Sequence, residues 1–172
     1  LNYLWINNKQ KPLLDKPRLL YVGRIKVEKG IFSLIKIFDE IKIEAGLTIV
    51  GRKEKVNYSN EKIRFVGPIY DSKALIKIYD DHNIFILPSF TEAHPKVVDE
   101  SLSRGRPVII FDEIKHIIQN RKGIFVSKRN SKSLIETIDY VIKNYIAIQE
   151  SMAQNKLPTK EKFILQMSSI LN

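Results

Sequence analysis

The chain has 172 residues, 44% hydrophobic and 28% charged, with no cysteine and a formal net charge of +10 from 29 Lys and Arg against 19 Asp and Glu. This is the composition of one globular domain with a substantial core, and it excludes a disulfide framework, a thiolate metal site and any apolar run near the ~18 residues of a membrane-spanning helix. The cation excess implies attraction to phosphates of nucleotides, nucleic acid or an anionic lipid surface, and the lack of cysteine suits a reducing cytoplasm, the compartment expected for the chain.

Residues 1–17, with Pro12 and Pro17, read as an incoming linker. Arg18-Leu-Leu-Tyr-Val-Gly23 is a strand ended by glycine, and Ile31, Leu34, Ile35, Phe38 and Ile41 then recur at helical spacing toward Gly46. A strand over 47–50 stops at Gly51, and another over 63–66 stops at Gly67-Pro68. Asp71 or Ser72 starts a helix bearing Leu75, Ile76, Ile78 and Tyr79. Next come a strand over 84–87 ended by Pro88, a helix over 95–104, a strand over 107–111, a short helix near 113–119 and a strand over 123–126. A helix over 131–145 carries Leu134, Ile135, Ile138, Val141 and Ile142. Residues 147–172 read as a polar tail, broken at Pro158, with a last helix over 160–171. Regular alternation of strand and helix over 18–146 predicts an α/β domain built on a Rossmann-like, doubly wound parallel sheet covered on both faces. Sites in such sheets lie beyond the carboxyl ends of the strands, where Gly23, Gly51, Gly67 and Pro88 sit.

Two turns carry chemistry. The first, Val22-Gly23-Arg24-Ile-Lys-Val-Glu28-Lys29-Gly30, is not the GxGxxG of a dinucleotide site. It offers Arg24, able to grip a diphosphate bidentately, and Lys29, a point charge. Taken alone, both read as surface cations, and Gly23 as a turn residue. The second runs from Leu87 through Ser89, Thr91, Glu92, His94, Pro95 and Glu100 to Gly105-Arg-Pro-Val108. Pro95 fits a first helical turn because its missing N–H has no partner there. A helix beginning near His94 leaves the N–H groups of Lys96 and Val97 pointing outward with the positive end of the dipole, a place for phosphate. Glu100, about a turn deeper, is placed to reach polyol hydroxyls. Alone, Glu92 is a carboxylate favoured by the helix dipole and Glu100 part of a solvated face. A loop histidine such as His94 is more often pocket lining than a general base, and His82, His94 and His116 have no metal-ligand spacing.

In their order, Val22-Gly23-Arg24 with Glu28-Lys29-Gly30, Leu47-Thr-Ile-Val-Gly51, Ile63-Arg-Phe-Val-Gly67, Pro88-Ser-Phe-Thr-Glu92 through Glu100, and Gly105-Arg-Pro-Val108 resemble the C-terminal domain of a GT-B glycosyltransferase of the retaining, family 4 type. The resemblance covers about Arg18 to Tyr145. It implies that 1–17 leads in from an N-terminal domain that holds the acceptor, while 18–146 binds a nucleotide sugar, UDP- or GDP-linked. The reaction implied is transfer of a hexose-type sugar to a saccharide or lipid-linked acceptor in surface-glycan synthesis, without a cofactor or divalent metal. By position, Arg24 and Lys29 would hold the diphosphate, Glu92 would lie beside the transferred sugar, and these three form the catalytic set. Glu100 would take the ribose hydroxyls and the loop of Pro68, Ile69 and Tyr70 would lie near the base. Gly23, His94, Lys96 and Val97 complete the expected donor pocket. Ala93 and His94 stand where the family often has glycine and an aromatic, and Asp112-Glu113-Ile-Lys-His116 replaces its glycine-rich turn, which is expected to reshape that corner. The resemblance allows peripheral contact with an anionic membrane and implies no nucleic-acid partner. Two other readings are a non-catalytic interaction domain of the same fold and a basic nucleic-acid-binding module, whose affinity would fall steeply with salt.

Overall fold

The computed structural model describes residues 1, 5, 16–52, 58 and 60–159. Most of the expected linker and the expected helix over 160–171 lie outside the described residues. Six parallel strands make one sheet, β1 (Arg18–Val22), β2 (Gly46–Val50), β3 (Ile63–Val66), β4 (Ile84–Leu87), β5 (Val108–Phe111) and β6 (Ile124–Ser127), in the order β3-β2-β1-β4-β5-β6. Leu19 of β1 lies opposite Leu47 of β2 on one side and Ile84 of β4 on the other. Every residue of β4 and β5 is buried, which is why Ile84–Leu87 and Val108–Phe111 are unbroken apolar runs rather than alternating ones. Each such side chain contributes about 1.5–3 kcal/mol by leaving water.

The helices are α1 (Ile31–Glu40), α2 (Ser72–Asp80), α3 (Lys96–Ser103), α4 (Ser131–Lys143) and α5 (Tyr145–Met152), with short 3₁₀ segments at Val27–Lys29 and Asp112–Ile118. Side chains start two of them: Asp71 accepts from the Ala74 amide at 2.8 Å, and Asn130 from that of Ser133 at 2.9 Å. Right-handed crossovers send α1 from β1 toward β2 and α3 from β4 toward β5, so the two lie on opposite faces. α1 packs with α4, and α2 meets α3 through Tyr79.

The largest departures from expectation are at three boundaries. α1 ends at Glu40 although the helical spacing continues, because Ile41 turns extended and enters the core. The helix expected over 131–145 breaks at Asn144 into α4 and α5. The division at 146 therefore cuts α5, whose Tyr145, Ile148 and Met152 are buried, so residues through 152 pack as part of the domain. From the expected linker, Trp5 is buried too, edge-on to Tyr79 at 5.6 Å, and its carbonyl accepts from Arg104 at 3.3 Å.

The Gly105-Arg106-Pro107 turn leaves α3 through Gly105 at φ +67°. Two buried arginines secure it. Arg104 forks onto Asp80 at 3.0 and 2.5 Å, while Arg106 donates to the Tyr145 hydroxyl at 2.8 Å and the Asp80 carbonyl at 2.5 Å. The ends of α2 and α3 are thereby held to the start of α5.

Candidate functional site

Strand order reverses direction between β1 and β4, so the loops after these strands part to opposite faces and leave a crevice at the carboxyl edge. The two loops are joined there. The Phe90 amide donates to the Glu28 carbonyl at 3.1 Å, and Lys29 Nζ lies 2.6 Å from Glu92 Oε1, which also accepts from Ser89 Oγ at 2.7 Å. With only 21% of the lysine and 13% of the glutamate side chain exposed, this charge-assisted bond is screened less than a surface pair. Gly30 permits the approach: it sits at φ +65°, and a Cβ there would fall 1.8 Å from the Pro88 carbonyl oxygen. Gly51 plays the same part between β1 and β2, where a Cβ would meet the Gly23 oxygen at 2.0 Å. The Gly23 amide itself donates to Val50 O at 3.0 Å, so it belongs to the sheet.

The buried Tyr21 hydroxyl donates to the Arg24 carbonyl at 2.7 Å and so shapes the turn after β1. Burial first, then the negative charge of Glu92, hold this phenol far above its ordinary range. Arg24, in the loop after β1, is exposed and makes no ion pair among the described residues.

α3 begins one residue later than expected. Pro95 is extended at φ −74°, ψ 108°, and caps the helix from outside, its carbonyl taking the Val98 amide at 3.0 Å. The Lys96 and Val97 amides are then the first-turn donors that lack an intrahelical acceptor. Glu100 is no solvated face: it is 6% exposed, with Oε2 accepting from the Tyr79 hydroxyl at 3.2 Å and Oε1 3.6 Å from the Nζ of exposed Lys96. Burial pushes its carboxyl upward, while Lys96 and the Tyr79 bond pull the other way. Burial, and then the Glu100 charge, drive the Tyr79 phenol well up.

His94 goes elsewhere. Its Nε2 sits 3.1 Å from Asp99 Oδ2, whose other oxygen is 2.6 Å from Arg121 Nη1. The ring thus lines a cleft of about 740 Å³ between the start of α3 and residues 119–122 and 154–159. Ile69 is half-buried against the core after β3, beside the exposed Tyr70. The segment replacing the glycine-rich turn is compact, with Ile114 and Ile117 buried, and it supports the site: His116 Nε2 donates to the Glu92 carbonyl at 2.7 Å.

Ser89, His116, Tyr79 and Arg129 contact these residues or their loops, partnerships the sequence did not announce. Arg129, before α4, donates to Glu113 at 2.7 Å and Ser33 at 2.8 Å and lies over the rings of Phe90 and Phe111 at 4.1 and 4.3 Å. Nothing local marks it among the chain's many cations. Ser89, three residues before Glu92 at the end of a buried strand, was legible as a loop hydroxyl but not as its partner.

Comparison with known proteins agrees with this architecture. The family model described as Glycosyl transferases group 1 matches residues 16–144. The capsular polysaccharide biosynthesis glycosyltransferase CapM of Staphylococcus aureus is 29% identical over 159 residues, 84% of this chain and 41% of that protein. Among solved structures, a sucrose-phosphate synthase from Thermosynechococcus elongatus aligns with a TM-score of 0.74 at 23% identity, over 91% of this chain and 45% of the other. The Anabaena protein HepE, solved in complex with UDP-glucose, aligns with a TM-score of 0.64 at 16% identity, over 82% and 43%. The chain thus spans less than half the length of each, and the Rossmann-like fold is the one found in GT-B glycosyltransferases.

Proposed function

The chain belongs to the group 1 glycosyltransferases, and on that premise we propose that it is the donor-binding half of a retaining, family 4 type enzyme that transfers a hexose-type sugar from a nucleoside diphosphate to a saccharide or lipid-linked acceptor. The observation that carries this reading is the meeting of Lys29 and Glu92 in the β1/β4 crevice, with the exposed Arg24 in the loop after β1. Arg24 and Lys29 grip the diphosphate, and the amides that open α3 add the positive end of its dipole. Glu100 takes the ribose hydroxyls through its outer oxygen, and Ile69 borders the base. A UDP- or GDP-linked donor is favoured, in line with the UDP-glucose bound by HepE.

The contribution of this half to the chemistry is electrostatic. When the bond between the sugar and phosphate breaks, negative charge grows on the departing nucleoside diphosphate, and Arg24, Lys29 and the α3 amides are pre-positioned to stabilise it. Across the crevice Glu92 neutralises Lys29. A diphosphate competes for that lysine and releases the carboxylate beside the sugar. Glu92 and Glu100 do not act as the paired carboxylates of a retaining glycosidase, because one oxygen of Glu100 is committed to a buried phenol. Acceptor binding is assigned to an N-terminal domain, and the cation excess favours peripheral contact with an anionic membrane.

Calorimetric titration of the 172-residue chain with UDP, GDP, ADP and their common sugars tests the donor site, alongside Arg24→Ala and Lys29→Ala. One nucleotide should bind, and both substitutions should weaken it. Failure of the folded protein to bind any of them, or binding indifferent to both substitutions, would overturn the reading.

A further inference from the structure

We infer that Tyr79 is a positioning residue: its hydroxyl holds the inner oxygen of Glu100 so that the outer one faces the ribose, and Trp5 braces the phenol from behind. This deepens the donor-site reading and rests on it.

Tyr79 is fully buried on α2, its ring 5.6 Å from Phe85 of β4 and 5.6 Å from Trp5, which meets it at 80°. Its hydroxyl has two acceptors within reach, Glu100 Oε2 at 3.2 Å and the Val97 carbonyl at 3.4 Å. A phenol has one proton to give, and the shorter contact to a charged oxygen is the stronger. With Oε2 committed inward, Oε1 is the oxygen that faces Lys96, whose side chain is 75% exposed. Recognition of a vicinal diol needs such an oxygen, ionised and fixed, because a glutamate free to rotate loses conformational entropy when it engages the hydroxyls. Removing the phenolic hydroxyl leaves Oε2 buried without its donor, so the carboxylate takes up a proton or turns outward. Either response spoils the acceptor. Trp5 fixes the phenol in turn, and Arg104 fixes Trp5 through its carbonyl at 3.3 Å. Trp5 is thereby linked to the donor pocket through Tyr79.

The test compares the preferred ribonucleoside diphosphate with its 2′,3′-dideoxy analogue, by calorimetry, in the wild-type chain, Tyr79→Phe, Glu100→Gln and the double variant. Tyr79→Phe is expected to weaken the ribonucleotide about tenfold, as for loss of a hydrogen bond to a charged group, and the dideoxy analogue less than about twofold. The double variant should be no worse than Glu100→Gln alone. Trp5→Leu keeps the hydroxyl but loosens its support, so it should show the same pattern at smaller amplitude, and it serves if Tyr79→Phe does not fold. Equal weakening of both nucleotides by Tyr79→Phe, or full ribose discrimination retained in it, overturns the inference while leaving the donor site intact. Ribose discrimination retained in Glu100→Gln overturns the assignment of Glu100 itself, and this inference with it.

Discussion

The ammonium of Lys29 and the carboxylate of Glu92, 63 residues apart in the chain, meet at 2.6 Å across the crevice between β1 and β4. In the proposed donor site a diphosphate competes with Glu92 for this cation, so the two residues should respond oppositely to substitution. Lys29→Ala is expected to weaken nucleoside diphosphate binding at least about tenfold, or about 1.4 kcal/mol. Glu92→Gln is expected to strengthen it by about two- to fivefold, the worth of a partly exposed ion pair no longer broken. Isothermal titration of both variants decides the matter, and weakening by Glu92→Gln would show the pair acting as one binding unit.

In the proposed donor site Glu100 sets an opposition between stability and binding. Burial raises its carboxyl above the ordinary value of 4.5. A raised carboxyl favours the folded state while protonated, and that advantage is lost as pH rises through the folded value. Glu100→Gln is therefore expected to be more stable than the wild type near neutral pH, with the difference shrinking as pH falls, when both are followed by urea denaturation. Hydroxyl recognition needs the ionised form. Affinity for a nucleotide sugar, whose diphosphate diester has no proton to exchange in this range, should accordingly fall in acid before an ordinary glutamate would titrate, and Glu100→Gln should lack that limb.

Gly30 is the hinge of contact between the two loops. Gly30→Ala places a Cβ 1.8 Å from a backbone oxygen at φ +65°, and neither atom can yield without moving β4 or α1. The expected loss is above about 3 kcal/mol, combining strain with displaced packing. Gly67→Ala is the control, since a Cβ there meets nothing within 4 Å, and it should stay within about 0.5 kcal/mol. Thermal denaturation of the two variants separates a steric requirement from a generic glycine effect.

His82 should make the fold sensitive to acid. The imidazole is buried between Ile78 and Thr48: Nδ1 donates to the Ile78 carbonyl at 2.6 Å, so Nε2 accepts from Thr48 Oγ1 at 2.8 Å. Burial lowers its pKa below 6.5, with the Ile78 bond opposing and the charges of Arg64, Asp81 and Arg18 as lesser influences. The unfolded chain then takes up the proton first, so the contribution of His82 is complete above 6.5 and is lost as pH falls through the folded value. His82→Gln should remove this component of the slope between pH 7.5 and 5 in chemical denaturation. An identical slope in both proteins would assign the acid sensitivity to other groups.

The strands were legible because their signal is local. Runs such as Ile84–Leu87 and Val108–Phe111, stopped by Pro88 or followed by charge, announce buried parallel strands wherever they occur. Helix starts at Asp71 and near Pro95 were legible for the same reason, since capping depends on three or four neighbouring residues. Helix ends were not. Whether Ile41 continues α1 or turns inward, and whether Ile148 and Met152 belong to a tail or to the core, depends on what packs against them.

By itself, then, the sequence determined the order of elements, the doubly wound parallel architecture and the motifs Arg24…Lys29 and Glu92…Glu100, because chain periodicity and turn chemistry act over a few residues. Tertiary structure alone decided what those motifs touch. The Lys29–Glu92 pair, the seat of Glu100 on Tyr79 and the commitment of the Gly23 amide to Val50 each join residues from different elements. Such contacts arise from the register of strands and the faces to which crossovers send the helices, and no window along the chain contains both partners.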